Sequence, residues 1–267
     1  MKIAFSPCPN DTFVFHAWVH RLIESAPPVE VTYADIDVTN TAAERGEFDV
    51  VKVSYAALPW LLDGYTLLPS GGALGRGCGP LVLTRGDLST VNGRTVAVPS
   101  ERSTAYLLFR LWAAGRHPAR IDVVPFAQIM PAVRDGRYDA GLVIHEARFT
   151  YPSYGLTALA DLGQWWERDT GLPIPLGAIV ARHGFDTAAL AAVVRDSVEY
   201  AWAHPSASAG YVAAHADEMS PDVQRRHIDL YVNEFTRDLG DEGYTAAETL
   251  LKRAEAAGLS PKCPPLR

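Results

Sequence analysis

His145 stands directly after Gly141-Leu142-Val143-Ile144 and before Glu146. Such an apolar run reads as a buried strand. A polar residue at its end sits on the sheet edge that faces ligands in α/β proteins. An imidazole titrates near neutral pH and suits work as a general base, although a histidine held by structural hydrogen bonds fits the same position. Glu146 could orient the ring, but neighbours on extended backbone point to opposite faces. Ser100 to Ala105, with Thr104 and Ala105, form a turn into a helix N-terminus. Free N–H groups and the helix dipole favour an anion there, and plain capping is the alternative. Lys52-Val53-Ser54 ends a matching strand earlier in the chain and offers a hydroxyl and backbone amides, while Lys52 by itself reads equally as an ion-paired residue.

Ser70 to Pro80 carries glycine at positions 71, 72, 75, 77 and 79. That composition reads as a loop in which backbone can approach a ligand or turn tightly. It lacks the Gly-Lys-Ser/Thr ending of a phosphate loop and opens no helix, which excludes the common nucleotide-binding fingerprints. Within it, Arg76 could grip a carboxylate or brace the loop. Asn10 and Asp11 offer an N-cap to the first helix, and Asn10 is a further candidate ligand contact. Cys8, between two prolines, reads as a small buried residue. The three cysteines, Cys8, Cys78 and Cys263, form no CxxC pair, and the eight histidines show no metal-ligand spacing. Neither a disulfide framework nor a metal site is expected.

These residues need strands and helices to bring them together. Lys2–Phe5, Val29–Tyr33 and Val50–Val53 read as strands separated by helices, with further strands at Tyr65–Leu68 and Leu81–Thr84. The pattern then restarts with strands at Thr95–Val98, Ile121–Val124 and Ala140–Ile144. The restart resembles an internal repeat, which sets two similar α/β lobes face to face and places Ser54 and His145 at nearly equivalent positions. From Asp186 the chain is helical, with Ser220-Pro221 as an N-cap and first-turn pair. Residues 1–88 with 180–267 are expected to form one lobe and 89–179 the other, with hinge crossings near 84–92 and 176–182. The 267 residues are enough for two such lobes. A net charge of −7 gives no general attraction to nucleic acid or anionic lipid, so neither is an expected partner. With no signal peptide and no long apolar run, a cytoplasmic location is expected.

Ser6-Pro7-Cys8-Pro9-Asn10-Asp11-Thr12-Phe13, Lys52-Val53-Ser54-Tyr55-Ala56-Ala57, Ser70 to Pro80, and Ile144-His145-Glu146-Ala147-Arg148-Phe149-Thr150-Tyr151-Pro152 occur in order. With Gly171-Leu172-Pro173-Ile174-Pro175-Leu176-Gly177-Ala178-Ile179, they resemble the 1,4-dihydroxy-6-naphthoate synthase family of the futalosine route to menaquinone. The similarity runs from Ser6 to at least Asn233. It implies a two-lobed fold like the type II periplasmic binding proteins, with a ligand cleft between the lobes. It also implies a carboxylate-bearing substrate, cyclic dehypoxanthinyl futalosine, and no cofactor or metal. The family's base falls on His145, and its ligand-contacting segments fall on Lys52, Val53 and Ser54 in one lobe and on Thr104 and Ala105 in the other. Arg76, Asn10 and Arg148 are added from the residues themselves. A chorismate dehydratase-like enzyme of the same route is the nearest alternative, and Ile144-His145-Glu146 argues against it. A cytoplasmic small-anion-binding protein of the same fold is the alternative from another class.

Overall fold

The computed structural model describes residues 1–86, 88–216 and 220–267. Among the described residues, short runs rich in β-branched and aliphatic residues form ten strands: β1 (Lys2–Phe5), β2 (Glu30–Tyr33), β3 (Val50–Ser54), β4 (Tyr65–Gly75), β5 (Leu81–Thr84), β6 (Thr95–Val98), β7 (Arg120–Val123), β8 (Ala140–Val143), β9 (Thr157–Asp161) and β10 (Ile174–Arg182). They make two five-stranded sheets, ordered β2-β1-β3-β10-β4 and β7-β6-β8-β5-β9. In each, three parallel strands are followed by one reversed strand, β10 or β5, and the edge strand beyond it pairs antiparallel with that strand. The central strands β3 and β8 are buried throughout, as strands covered on both faces must be.

The identical strand order is the internal repeat in three dimensions. Ile3 pairs with Val50 in one sheet and Val96 pairs with Ala140 in the other. Counting along from these partners, Ser54 corresponds to Ile144, one residue short of His145. The carboxyl ends of β3 and β8 therefore face one another across the gap between the lobes.

The crossings fall earlier than the sequence suggests. β5 hydrogen-bonds to β8 and β9, so Leu81–Thr84 belongs to the second lobe and the chain crosses between Gly75 and Leu81. The segment expected to cross, 84–92, follows that strand, and Asp87 within it lies outside the described residues. On the return, β10 is paired along its whole length with β3 and β4, so the crossing lies between the helix Leu162–Thr170 and Ile174. Both strands read from sequence as apolar stretches flanked by glycine. Only the pairing reveals which sheet each completes. For the same reason the glycine-rich stretch is no loop: Ser70 to Gly75 continues β4, because β10 supplies partners for its backbone.

Arg76 ties the two crossings together. Its guanidinium donates to the Gly171 carbonyl at 3.1 Å and to Glu242 at 2.7 Å. Gly79 packs backbone-on-backbone against Gly163, and a Cβ on Gly79 would lie 2.1 Å from the Gly163 nitrogen. Gly79→Ala is therefore expected to destabilise the protein by at least the roughly 1–3 kcal/mol of ordinary overpacking, since no side chain can rotate aside. The denaturation midpoint reads this out, and an unchanged midpoint would mean that the crossing relaxes freely.

The C-terminal helices close the structure. Thr187–Ala203 packs on the helix Pro9–Val19 and on β4, with Val193, Val194 and Val198 in the first lobe's outer core. The last helix, Gly240–Ala256, reaches β10 and also the second-lobe helix Thr104–Trp112, so one apolar cluster is continuous across both lobes. Ser220 caps Pro221–Tyr231 by accepting from the Val223 N–H, as expected for a Ser-Pro start. Among the described residues no helix is long and apolar enough to cross a membrane.

Candidate active site

A chamber opens between the carboxyl ends of β3 and β8, with about 660 Å³ of empty space that includes open solvent at its mouth. Its wall carries Asn10, Asp11, Lys52, Ser54, His227 and Tyr231 from first-lobe elements and Thr104, Ala105 and His145 from the second lobe.

His145 lies in the turn after β8 with φ +55°. Arg21 is the only other non-glycine residue with positive φ among the described residues. Non-glycine residues are uncommon in this left-handed region, where histidine, asparagine and aspartate are the ones most often found, and such a conformation at the end of a buried strand marks a candidate functional position. The twist turns the imidazole toward the first lobe, where its Nδ1 lies 2.8 Å from Cys8 Sγ. Desolvation by burial pushes the Cys8 thiol above its ordinary range, so it stays an S–H and not a nucleophilic thiolate. A thiol is both a weak donor and a weak acceptor, so Cys8 orients the ring at little cost when a ligand displaces it. Glu146 accepts through its backbone carbonyl from the turn that follows, and the partner that orients the imidazole is Cys8.

Lys52 and Asp11 form a buried ion pair at 2.6 Å, with side-chain exposures of 4% and 3%. The ammonium also donates to the Gly71 carbonyl at 3.3 Å, which leaves one of its three hydrogens for a ligand. Gly177 makes room for this side chain, since a Cβ there would meet Lys52 Cε at 2.7 Å. Asp11 accepts further bonds from the Ser6 hydroxyl at 2.7 Å and from the Asn10 amide at 2.8 Å. Asn10 and Asp11 are not the N-cap. The helix begins at Pro9, whose missing N–H suits a first-turn position, and both residues turn inward from that turn. Asn10 is thereby committed to Asp11 and, through its oxygen, to His227 at 3.0 Å.

Across the chamber, Ser103 caps its helix by accepting from the Tyr106 N–H, and Leu107 N–H bonds to the Ser103 carbonyl. Thr104 and Ala105 N–H then lack intrahelical acceptors and are available to an anion. The Thr104 hydroxyl is engaged between the lobes, where it donates to the Leu176 carbonyl at 2.7 Å and accepts from Ala56 N–H at 3.2 Å. Asn40, fully buried, likewise links Ser54 to the Arg102 carbonyl, and Arg102 pairs with Glu44. These contacts latch the two lobes.

Three expected ligand contacts lie elsewhere. Arg76 braces the crossings on the outside. Val53 alternates away from Lys52 and Ser54 and packs in the core, as period two requires. Arg148 holds the Gly79 carbonyl at 2.7 Å and Asp161 at 2.5 Å, beside a crossing and not in the chamber. The residues missed by sequence reasoning are Cys8, Asp11, Asn40, His227 and Tyr231. His227 and Tyr231 lie four apart on the inner face of an amphipathic helix, where a lone histidine reads as core. Among the described residues no group of three or more His, Cys, Asp or Glu is gathered as metal ligands would be.

The family model described as menaquinone biosynthesis matches residues 1–256. The chain belongs to the menaquinone-biosynthesis family. Two relatives share nearly its full length. A 1,4-dihydroxy-6-naphthoate synthase of Streptomyces coelicolor is 63% identical, over 99% of this chain and 96% of the relative. The enzyme of the same name from Thermus thermophilus is 48% identical, over 99% and 97%. Among solved structures, protein AF1704 of Archaeoglobus fulgidus superposes with a TM-score of 0.90 at 31% identity, covering 97% of each chain. The periplasmic aliphatic sulphonate binding protein SsuA of Escherichia coli superposes with a TM-score of 0.71 at 14% identity, covering 100% of this chain and 90% of that one. The likeness to SsuA establishes the fold alone: this member of the menaquinone-biosynthesis family has the two-lobed architecture of periplasmic binding proteins.

Proposed function

We propose that the protein converts cyclic dehypoxanthinyl futalosine to 1,4-dihydroxy-6-naphthoate in menaquinone biosynthesis, with His145 as general base. The observation that carries this reading is the 63% identity, over 99% of the chain, to a relative named for that reaction. The chemistry requires a proton to be removed, a carbon–carbon bond to open with release of a small carbonyl fragment, and a second ring to become aromatic. Aromatisation supplies the thermodynamic drive. The protein's part is to hold the substrate, take the proton and keep water out.

The geometry suits these roles. The substrate carboxylate is met by Thr104 and Ala105 N–H at the helix N-terminus, by the Ser54 hydroxyl and by the free hydrogen of the Lys52 ammonium. Because Asp11 already neutralises Lys52, the chamber does not hold the anion too tightly to release it. The imidazole of His145, on the same lobe as Thr104 and Ala105, then faces the reacting ring. The decisive experiment is incubation of the purified protein with cyclic dehypoxanthinyl futalosine and detection of the naphthoate. An inert mixture, with folded protein, would overturn the assignment.

Thr104 contributes to this reading as a latch. Thr104→Val leaves the Leu176 carbonyl and the Ala56 N–H without their partner when the lobes are together, a cost of roughly 1–3 kcal/mol. KM is expected to rise by about one to two decades, with kcat largely retained once substrate saturates. Steady-state kinetics distinguish this from a role in chemistry, in which kcat would collapse at normal KM.

A further inference from the structure

We propose that His227 orients the substrate: its Nδ1 accepts a hydrogen bond from a hydroxyl group of the ligand, fixing the hydroxyl-bearing end beside His145 and the carboxylate end at Thr104 and Ala105. This rests on the synthase reading above and extends it to a residue to which that reading assigns no role.

The tautomer of His227 follows from its neighbours. Asp11 can only accept, so the Asn10 amide nitrogen must face it, at 2.8 Å. The Asn10 oxygen is then what meets His227 Nε2 at 3.0 Å, so Nε2 carries the hydrogen and donates. The remaining nitrogen, Nδ1, is a lone-pair acceptor. It is buried and has no partner, and the residue is only 1% exposed. A buried acceptor of this kind costs free energy unless something fills it. Its ring borders the chamber, 6.0 Å from the His145 ring and 4.7 Å from that of Tyr231.

The ring also cannot escape by gaining a proton. Burial, with a smaller effect from His145, pushes it down to about 3, so it is neutral at every pH at which the enzyme would work. A neutral acceptor with a weak proton affinity is a poor base and a good hydrogen-bond partner for an O–H. A carboxylate has no hydrogen to offer and would set two acceptors against each other. The chamber therefore has an accepting end at His227 and a donating end at the helix N-terminus, matched to a ligand with hydroxyls on one ring and a carboxylate on the other.

Two substitutions separate the nitrogens. Asparagine places its oxygen near the position of Nδ1 and loses the Nε2 donor, whereas glutamine can restore a donor near Nε2 and loses the Nδ1 acceptor. The readout is the ratio of affinities for 1,4-dihydroxy-6-naphthoate and for naphthalene-2-carboxylate, which lacks the hydroxyls, measured anaerobically by calorimetry on the full chain. In wild type the dihydroxy compound binds more tightly. His227→Gln is expected to shrink that preference by about tenfold, the worth of one hydrogen bond to a buried acceptor, and His227→Asn to keep most of it. An unchanged preference in His227→Gln overturns the proposal. So does a loss in both variants, or an equal fall for both ligands, since each would assign His227 a structural role through Nε2. Turnover by the wild type is measured beside these. If wild type neither turns over the substrate nor binds the naphthoate, the synthase reading itself fails, whereas an active wild type with an indifferent His227→Gln condemns only the orienting role.

Discussion

His145→Asn is expected to lower kcat by roughly 10²–10⁴, the usual worth of general acid–base catalysis, while fold and ligand affinity stay near native. The substitution is chosen for the backbone as much as for the ring. His145 sits at φ +55°, and asparagine is among the few residues that enter this region readily. Its oxygen can replace Nδ1 opposite the Cys8 thiol, so the local contact at 2.8 Å need not be lost. What asparagine cannot do is take a proton. Melting temperature, affinity for the naphthoate product and kcat on this single variant separate the possibilities. A histidine with a structural role alone would give a lower melting temperature, weaker binding and a modest rate loss together. Turnover within a few-fold of wild type would remove His145 from the mechanism.

Lys52→Met is expected to cost about 3–5 kcal/mol of stability, the loss typical when one partner of a buried pair is removed. Asp11 would be left ionised, 2% exposed, with only Ser6 and Asn10 as partners. Most of that cost is the stranded charge and not the lost attraction. The double variant Lys52→Met/Asp11→Asn should therefore recover much of the stability, because neither group is then charged. Ligand affinity should not recover with it, since the free ammonium hydrogen is gone and the support that Asp11 gives Asn10 is altered. Denaturant titration and product binding on the three variants read this out. Recovery of both together would mean that Lys52 has no part in binding, and a small cost for Lys52→Met alone would mean that water reaches the pair.

The interlobe contacts, the ion pair and His145 lie around one chamber. The lobes touch through Thr104, Asn40 and Arg102, and Cys8 meets His145 across the same gap, beside the chamber. Periplasmic binding proteins of this architecture use closure to hold a solute. Here the chamber between the lobes is also lined by an imidazole on a left-handed backbone, His145.

The class of fold and the central residue are legible in local pattern. Short β-branched runs alternating with amphipathic segments specify α/β layers, because each such segment has only one way to bury its apolar face. A histidine at the end of an apolar run falls just past the carboxyl end of the strand, as His145 does after β8. The repeat of Lys2–Phe5 with Thr95–Val98 is readable for the same reason, and it leads to the two lobes and the facing strands β3 and β8. Other features depend on partners distant in the chain, and folding alone settles them. The sheet that β5 joins is set by Ala140–Val143 and Thr157–Asp161, and no local pattern encodes that choice. Glycine-rich Ser70 to Gly75 is extended because β10 pairs with it, which overrides the loop preference of its residues. Arg76 and Arg148 have the charge for a carboxylate, but the geometry of the crossings engages both first. His227 reads as an ordinary core histidine 217 residues from Asn10, and only the folded chain sets the two together and leaves one nitrogen free to meet a ligand.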